Sequence, residues 1–424
     1  MNHFKLKAGV CIASLFATAS LATADELQEL RDRIDALEAQ QAQLEAQQTK
    51  PQRQTLPGAI PNLGSFILPR AESLGDPDQI SGREGLGRLS FALSEQTKVT
   101  IYGFVRAEAF YDFDFSQGDT SDPSALLDPA NETSGDFEQS VRVSRFGIRS
   151  KSDTGIGTFS TQLEFDLFSE DASTTSPDLR LRHANIRYKT GNSEVLLGQF
   201  WTNFMPLTHY PTTADFEGPV GISFARVPQV RYTYDTGTGL RLSASLEEAN
   251  GGENSEDPVL TAAAFYGQDR FSVRAAGLIG TRPTPVGDVD TYGVTVSGSV
   301  SPWQGGTFTG TYTHGDNLGN LLIGPGGDPD ALGTDNDVDA FTLEFRQDLG
   351  DKWNVGVAYG YANYGLETVV AGNAFDEVQT VHVNAFYTPV ENFTLGFEYI
   401  FADIEGDAFS EDADRLGFSA TLRF

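Results

Sequence analysis

Residues 415–424 read Arg415-Leu416-Gly417-Phe418-Ser419-Ala420-Thr421-Leu422-Arg423-Phe424, so that Leu416, Phe418, Ala420, Leu422 and Phe424 alternate with polar residues or glycine. Side chains on a strand point to opposite faces with a period of two, so this stretch has one wholly apolar face and one that carries charge. The strand before it repeats the pattern: Phe393, Leu395, Phe397, Tyr399 and Phe401 share a face, against Thr394, Gly396 and Glu398. Aromatic, aliphatic faces backed by arginine and glutamate suit a wall between lipid and a watery lumen.

Working toward the N-terminus, the same period recurs as far as Lys98, where Val99, Ile101, Val105, Ala107 and Ala109 alternate with Thr100, Arg106 and Glu108. The pattern predicts strands near 98–113, 140–150, 158–168, 179–189, 194–200, 228–234, 239–246, 259–266, 271–278, 290–300, 307–314, 339–347, 352–361, 377–387, 393–401 and 415–424. The expected fold is all-β, a 16-stranded antiparallel transmembrane barrel over residues 98–424. Connections alternate in length: 301–306 and 348–351 are short, whereas 114–139, 315–338 and 402–414 are long. Outer-membrane barrels have short periplasmic turns and long outer loops, so the N-terminus is expected on the periplasmic side.

Composition agrees. Hydrophobic residues make up only 39% of the 424, and nothing after the first 24 residues resembles a spanning helix. A barrel does not need one, because its lipid-facing residues alternate with lumen-facing ones. Lys5 and Lys7, the apolar stretch Ala8–Leu21 and Ala22-Thr23-Ala24 form the three regions of a secretory leader, so residues 1–24 are expected to be a signal peptide. The single cysteine, Cys11, would leave with it, and the rest of the chain has neither a disulfide nor a thiolate site to offer. The net charge of −30 becomes two units more negative without Lys5 and Lys7, which argues against nucleic acid as a partner.

Between leader and barrel, Leu27, Leu30, Ile34, Leu37 and Leu44 follow a 3,4 repeat, with Gln41 in the missing place. That is a coiled-coil seam over 25–48, and parallel in-register helices would face Glu26 with Arg31 and Arg33 with Glu38. Pro51, Pro57, Pro61, Pro69 and Pro77 mark 49–97 as an extended linker. The coil is expected in the periplasm, supporting self-association and free to contact the cell wall; an amphipathic helix lying on its own domain is the alternative.

Several stretches resemble known porins: Ser144-Arg145-Phe146-Gly147-Ile148-Arg149, Gln162-Leu163-Glu164-Phe165, Leu196-Leu197-Gly198-Gln199 and the terminal Phe424, whose aromatic ending resembles a barrel assembly signal. The heptads, the Pro-rich linker and Val99-Thr100-Ile101-Tyr102-Gly103-Phe104-Val105 resemble more narrowly the DcaP-like trimeric porins. The resemblance covers essentially the whole chain after the leader. It implies passive diffusion through three parallel barrels in outer-membrane lipid, with small mono- and dicarboxylates as preferred solutes.

Two features of the barrel sequence point to a pore. The connection 201–227 holds Trp201, Phe204, Tyr210, Phe216 and Phe224, with Met205 and Arg226, a composition unlike the acidic loops. So many rings would not remain in water, and the loop is expected to fold inward as a constriction. On the flanking strands, alternation points Arg145, Arg149, Arg187 and Arg231 into the lumen, with Arg241 beside Leu240 and Leu242. Parity changes near Ser144 and Arg182 leave Arg142, Arg180 and Arg182 unassigned by alternation, and Arg182 joins the candidate anion-binding set. Guanidinium groups stay charged and grip carboxylates in a bidentate way. They equally pair with lumen acids such as Glu164, Asp166, Asp215 and Glu217 and stiffen a wall.

No enzyme is expected. His183, His209, His314 and His382 are scattered, and neither G-x-S-x-G nor H-E-x-x-H occurs, so no catalytic residue, cofactor or metal ligand set is assigned. The runs 119–138, 251–257, 316–339 and 403–414 hold 6, 3, 6 and 6 acids with no lysine or arginine, and are expected to be solvated outer loops. A divalent cation near Asp335, Asp337 and Asp339 is the sharper alternative, although the run lacks the glycine and distal glutamate of a calcium loop. The competing functions are an envelope tether or adhesin with the barrel as anchor, and a barrel enzyme.

Overall fold

The computed structural model describes residues 89–424 except 170–172, 250–256, 285–286, 325–335, 367–374 and 407–408. The expected signal peptide, coiled coil and most of the linker lie outside the described residues.

Strands follow one another along the chain as β1 (Leu89–Ala92), β2 (Thr97–Asp112), β3 (Asp136–Ser140), β4 (Arg145–Thr154), β5 (Gly157–Asp166), β6 (Arg180–Thr190), β7 (Ser193–Trp201), β8 (Arg226–Asp235) and β9 (Leu240–Glu247). They continue as β10 (Val259–Gln268), β11 (Phe271–Thr284), β12 (Gly287–Trp303), β13 (Gly306–Asp316), β14 (Asn336–Leu349), β15 (Trp353–Leu366), β16 (Glu377–Val390), β17 (Phe393–Gly406) and β18 (Phe409–Arg423). Each pairs antiparallel with its neighbour, and β18 returns to β2 in the register Arg415↔Asp112 to Arg423↔Phe104. β3 and β4 both pair with β2 and are two halves of one span, broken at 141–144. The result is a closed barrel of sixteen spans, with each of the sixteen strands read from alternation in its place.

Closure is what hydrocarbon requires, because an open sheet edge would leave backbone groups without partners. The seam is sealed by Gly103 and Phe424, which exchange two backbone hydrogen bonds at 3.1 and 3.0 Å. Gly103 has no room for a side chain: a Cβ there would lie 2.3 Å from the Arg145 carbonyl oxygen and 2.9 Å from the Phe424 ring. Short β1 pairs with β2 at Lys98–Ile101, just beyond the reach of the terminal strand.

Outward positions are apolar. Val105, Phe146, Ile148, Ile186, Val230, Tyr232, Leu242, Val296, Leu343 and Phe397 are all exposed, as lipid-facing residues of an isolated barrel must be. Trp353 stacks on Tyr387 with centroids 4.6 Å apart, and Phe308 packs on Phe345 at 4.8 Å, an aromatic band near the rim of short turns. Among the described residues no helix is long and apolar enough to cross a membrane.

The acidic runs depart from expectation. Residues 403–406 and 409–414 are strand, the outer ends of β17 and β18, and only 407–408 separate them. Their carboxylates are compatible with strand because that rim stands clear of the hydrocarbon; Tyr399, for instance, bonds Asp414 across the ladder. Asp119 is not a solvated loop residue either: it is buried, accepting from Ser140 Oγ at 2.6 Å and from Arg142 at 2.9 Å.

Candidate functional site

The inner face of β4–β9 is a charged wall. The same alternation that turns Phe146 and Ile148 outward turns Arg145 and Arg149 inward, and both are buried. Arg187 is buried between outward Ile186 and Tyr188, while Arg231 and Arg241 sit half-buried on β8 and β9. Arg182 is completely buried at a bulge in the β5–β6 ladder, where the register jumps from Glu164↔His183 to Phe165↔Leu181. The bulge lets Arg182 and His183, adjacent in sequence, both turn into the barrel.

Most of these arginines have a carboxylate beside them. Arg182 bridges Glu164 at 3.0 Å and Asp166 at 2.7 Å, and Arg145 approaches Glu164 at 3.4 Å. Arg187 meets Glu194 at 3.3 Å, Arg231 meets Glu247 at 3.8 Å and Arg241 meets Asp235 at 3.4 Å. Two differ. The Arg149 guanidinium lies over the Tyr102 ring at 3.9 Å and that of Arg226 over Trp201 at 5.1 Å. Arg149 Nε and Nη2 and Arg226 Nη1 are buried without a hydrogen-bond partner among the described residues.

The segment 202–225, between β7 and β8, lies against the inner faces of the opposite strands. Arg274 on β11 donates to Phe204 O at 3.2 Å, and His209 bonds Ser272 and Ser297 on β11 and β12 at 2.8 and 2.7 Å. Farther round, Glu344 on β14 accepts from Thr212 N at 2.8 Å, and Asn384 on β16 donates to Thr212 O at 3.0 Å. Glu398 on β17 accepts from Ala214 N at 2.6 Å and Asp215 N at 3.2 Å; Arg106 on β2 donates to Ala214 O. His382 Nδ1 lies 2.9 Å from the Glu398 carboxylate and steadies it.

Apolar side chains of the segment are withdrawn from water. Trp201, Phe204, Met205 and Phe216 are buried and Tyr210 is half-buried. Phe216 stacks on Phe168, Phe224 packs on Trp201 at 4.9 Å and on Tyr210 at 5.8 Å, and Arg182 sits 5.4 Å from the Trp201 ring and 5.7 Å from Phe216. The rings and the arginines therefore form one layer. Burial pushes the Glu217 carboxyl up to about 8, helped by Asp215 and Asp122, and pushes the Tyr210 hydroxyl well above its usual range.

Arg106, Arg274, Glu344, Glu398 and Phe168 were not among the candidate pore residues, although Arg106 and Glu398 already stood on polar strand faces. Arg106 and Arg274 carried the needed signal, flanked by Val105 and Ala107 and by Val273 and Ala275. Phe168 stands just past β5, where alternation no longer applies. His183, His209, His314 and His382 stay on separate strands or loops, and among the described residues no group of His, Cys, Asp or Glu is arranged to hold a metal. Asp335 lies outside the described residues.

Against known proteins, residues 90–282 match the family model described as DcaP outer membrane protein. No curated protein matches the sequence. Among solved structures, the outer membrane channel DcaP of Acinetobacter baumannii is 24% identical with a TM-score of 0.70, covering 79% of this chain and 100% of that one. An anion-selective porin from Comamonas acidovorans is 13% identical over 78% of this chain and 100% of that one, with a TM-score of 0.57. The trimer form of OmpT of Vibrio cholerae is 16% identical over 78% and 100%, with a TM-score of 0.54. These likenesses show the porin barrel fold, and the match over 90–282 is to a family of outer membrane proteins.

Proposed function

We propose that this barrel is a member of the DcaP family and a passive diffusion channel for small anionic solutes, mono- and dicarboxylates in particular, working as a homotrimer in outer-membrane lipid. The observation that carries the reading is the state of Arg149 and Arg226. Arg149 is buried and Arg226 half-buried beside the constriction layer, and guanidinium nitrogens of both meet no acceptor among the described residues. A buried donor without an acceptor is costly, so such nitrogens suit an acceptor that arrives from outside. A carboxylate passing the ring layer would find Arg149 and Arg226 unengaged and Arg145, Arg182, Arg187 and Arg231 close by, which favours entry without tight retention.

The paired arginines have a different part. Arg182, held by Glu164 and Asp166, stiffens the wall and keeps its charge in place behind the path. The segment 201–227, with Trp201, Phe204, Tyr210, Phe216 and Arg226, is the constriction. The Comamonas porin, anion-selective by its description, lends the fold a precedent. The trimer rests on the coiled-coil seam at 25–48 and on the OmpT trimer form. Reversal potentials across a KCl gradient in planar bilayers test the reading: chloride should be favoured over potassium, and potassium preference would overturn it.

A further inference from the structure

The loop after β13 enters the barrel and pairs with the constriction segment. Ser223 and Leu322 form an antiparallel bridge. Around it Gly221 N donates to Ile323 O at 2.7 Å, Ile323 N to Ile222 O at 2.9 Å and Phe224 N to Leu321 O at 2.8 Å. Two loops about a hundred residues apart in sequence thus share a short ladder inside the lumen.

Side chains anchor that ladder to one half of the mouth. Leu318 is fully buried in a socket that exists because Gly293 and Gly315 have no side chains: a Cβ at either would lie 2.8 Å from Leu318 Cδ1. Behind the constriction segment, the Val220 carbonyl oxygen stands 2.3 Å from where a Gly360 Cβ would be, so the segment is pressed onto β15 itself. The inward residues at the outer ends of β14–β17 are buried and apolar, among them Val338, Ala340, Ala362, Val378, Ala402 and Ile404. On the other side, β4–β9 present arginine and glutamate. A hydrated solute has no path through the apolar half, because nothing there replaces its water.

We propose that residues 317–324 are a strut that positions the constriction segment and confines permeation to the arginine-lined half of the lumen. This rests on the channel reading above. Leu318 and Leu322 are positioning residues: they act through Val220, Ile222 and Phe224 and need not touch the solute. With the strut seated, the segment has one position and the pore one cross-section. With it unseated, the segment keeps its bonds to Glu344, Asn384 and Glu398 but loses its outer brace.

Single-channel recording on the full-length protein tests this. Leu318→Asp puts a charge in an apolar socket and should replace the single wild-type level with several, differing by about 1.5-fold or more. Leu318→Ala should act in the same direction more weakly. Adding Ser223→Cys and Leu322→Cys to Leu318→Asp should restore one level of wild-type size when oxidised and lose it on reduction, since Cys11, the sole cysteine, lies outside this region. A folded Leu318→Asp barrel that keeps one wild-type level with unchanged selectivity overturns the strut, as does an oxidised pair that restores nothing. If wild-type protein gave no steps, the channel reading would fall separately. Hydrogen exchange at 220–224 would still decide the strut, with acceleration of about tenfold expected in Leu318→Asp and an unchanged rate refuting it.

Discussion

Phe216, at the tip of the inserted segment 202–225, lies stacked on Phe168 from the connection after β5, with centroids 5.2 Å apart and planes inclined by 12°. The pair joins the segment back to the wall that it left at Trp201, and the guanidinium of Arg142 covers the outer side of Phe168 at 4.3 Å. Replacing Phe216 with alanine removes the stack, worth about 0.5–1.5 kcal/mol beyond the area it buries. Sixteen spans of ladder do not depend on it. Phe216→Ala should raise single-channel conductance while leaving the barrel's thermal unfolding nearly unchanged; conductance equal to wild type would show that this ring does not bound the path.

Glu398 accepts two backbone N–H groups, from Ala214 and Asp215, that have turned away from any strand. Leaving a buried donor without an acceptor costs about 1–3 kcal/mol each. Glu398→Ala should therefore loosen the tip, seen as faster hydrogen exchange at 212–218, whereas Glu398→Gln retains one acceptor oxygen and should fall between. Equal exchange in all three proteins would show that Arg106 and Asn384 hold the tip without it.

Much of the barrel was legible from alternation, and the reason is physical. Lipid makes the outward face of every span apolar, so Phe393 to Phe401 and Leu416 to Phe424 announce themselves without knowledge of any neighbour. The rule lapses where a strand leaves the hydrocarbon, which is why 403–414 read as loop although it is mostly strand. In the candidate site, the facing of Arg145, Arg149, Arg187 and Arg231 follows from parity within one strand. Their partners do not. That Glu164 stands between Arg145 and Arg182 depends on the register of three strands, which leaves no mark in one sequence, and on a bulge at Arg182 that shows there only as a change of parity. The contacts of 202–225 with β11–β17 were legible only as a need of Trp201 and Phe216 to be covered.

Glu217 should give the inserted segment a dependence on pH. Its usual carboxylate value of 4.5 is pushed up to about 8 in the folded segment by burial and by Asp215, Asp122 and Asp119, with Arg180 opposing. The folded form therefore binds more protons than the unfolded one between about 4.5 and 8, and stability falls as pH rises through that window. Above it the loss is complete. Hydrogen exchange at 212–218, corrected for intrinsic rate, should quicken from pH 5 to pH 8.5, and Glu217→Gln should flatten the slope. An identical slope in Glu217→Gln would assign the effect to another group.

Arg149 and Arg226 together test the proposed path more sharply than the paired arginines, because removing either leaves no carboxylate newly stranded in the wall. By contrast, Arg182→Ala would strip two ion pairs from Glu164 and Asp166 and disturb the barrel itself. Truncating one partner of a buried pair costs about 3–5 kcal/mol, so a changed current there would not separate charge from structure. The double variant Arg149→Ala, Arg226→Ala should lose no more than about 4 kcal/mol of thermal stability, since its cost is two ring contacts of about 2 kcal/mol each where desolvated, set against relief of donors buried without acceptors. Its reversal potential in a KCl gradient should move toward the potassium side, and block of the current by a small dicarboxylate should weaken. Arg149→Lys with Arg226→Lys keeps the charge but not the planar fork. It should hold the chloride preference and lose most of the dicarboxylate block, because bidentate grip belongs to guanidinium alone. Unchanged reversal potential and block in the alanine pair would remove both residues from the path.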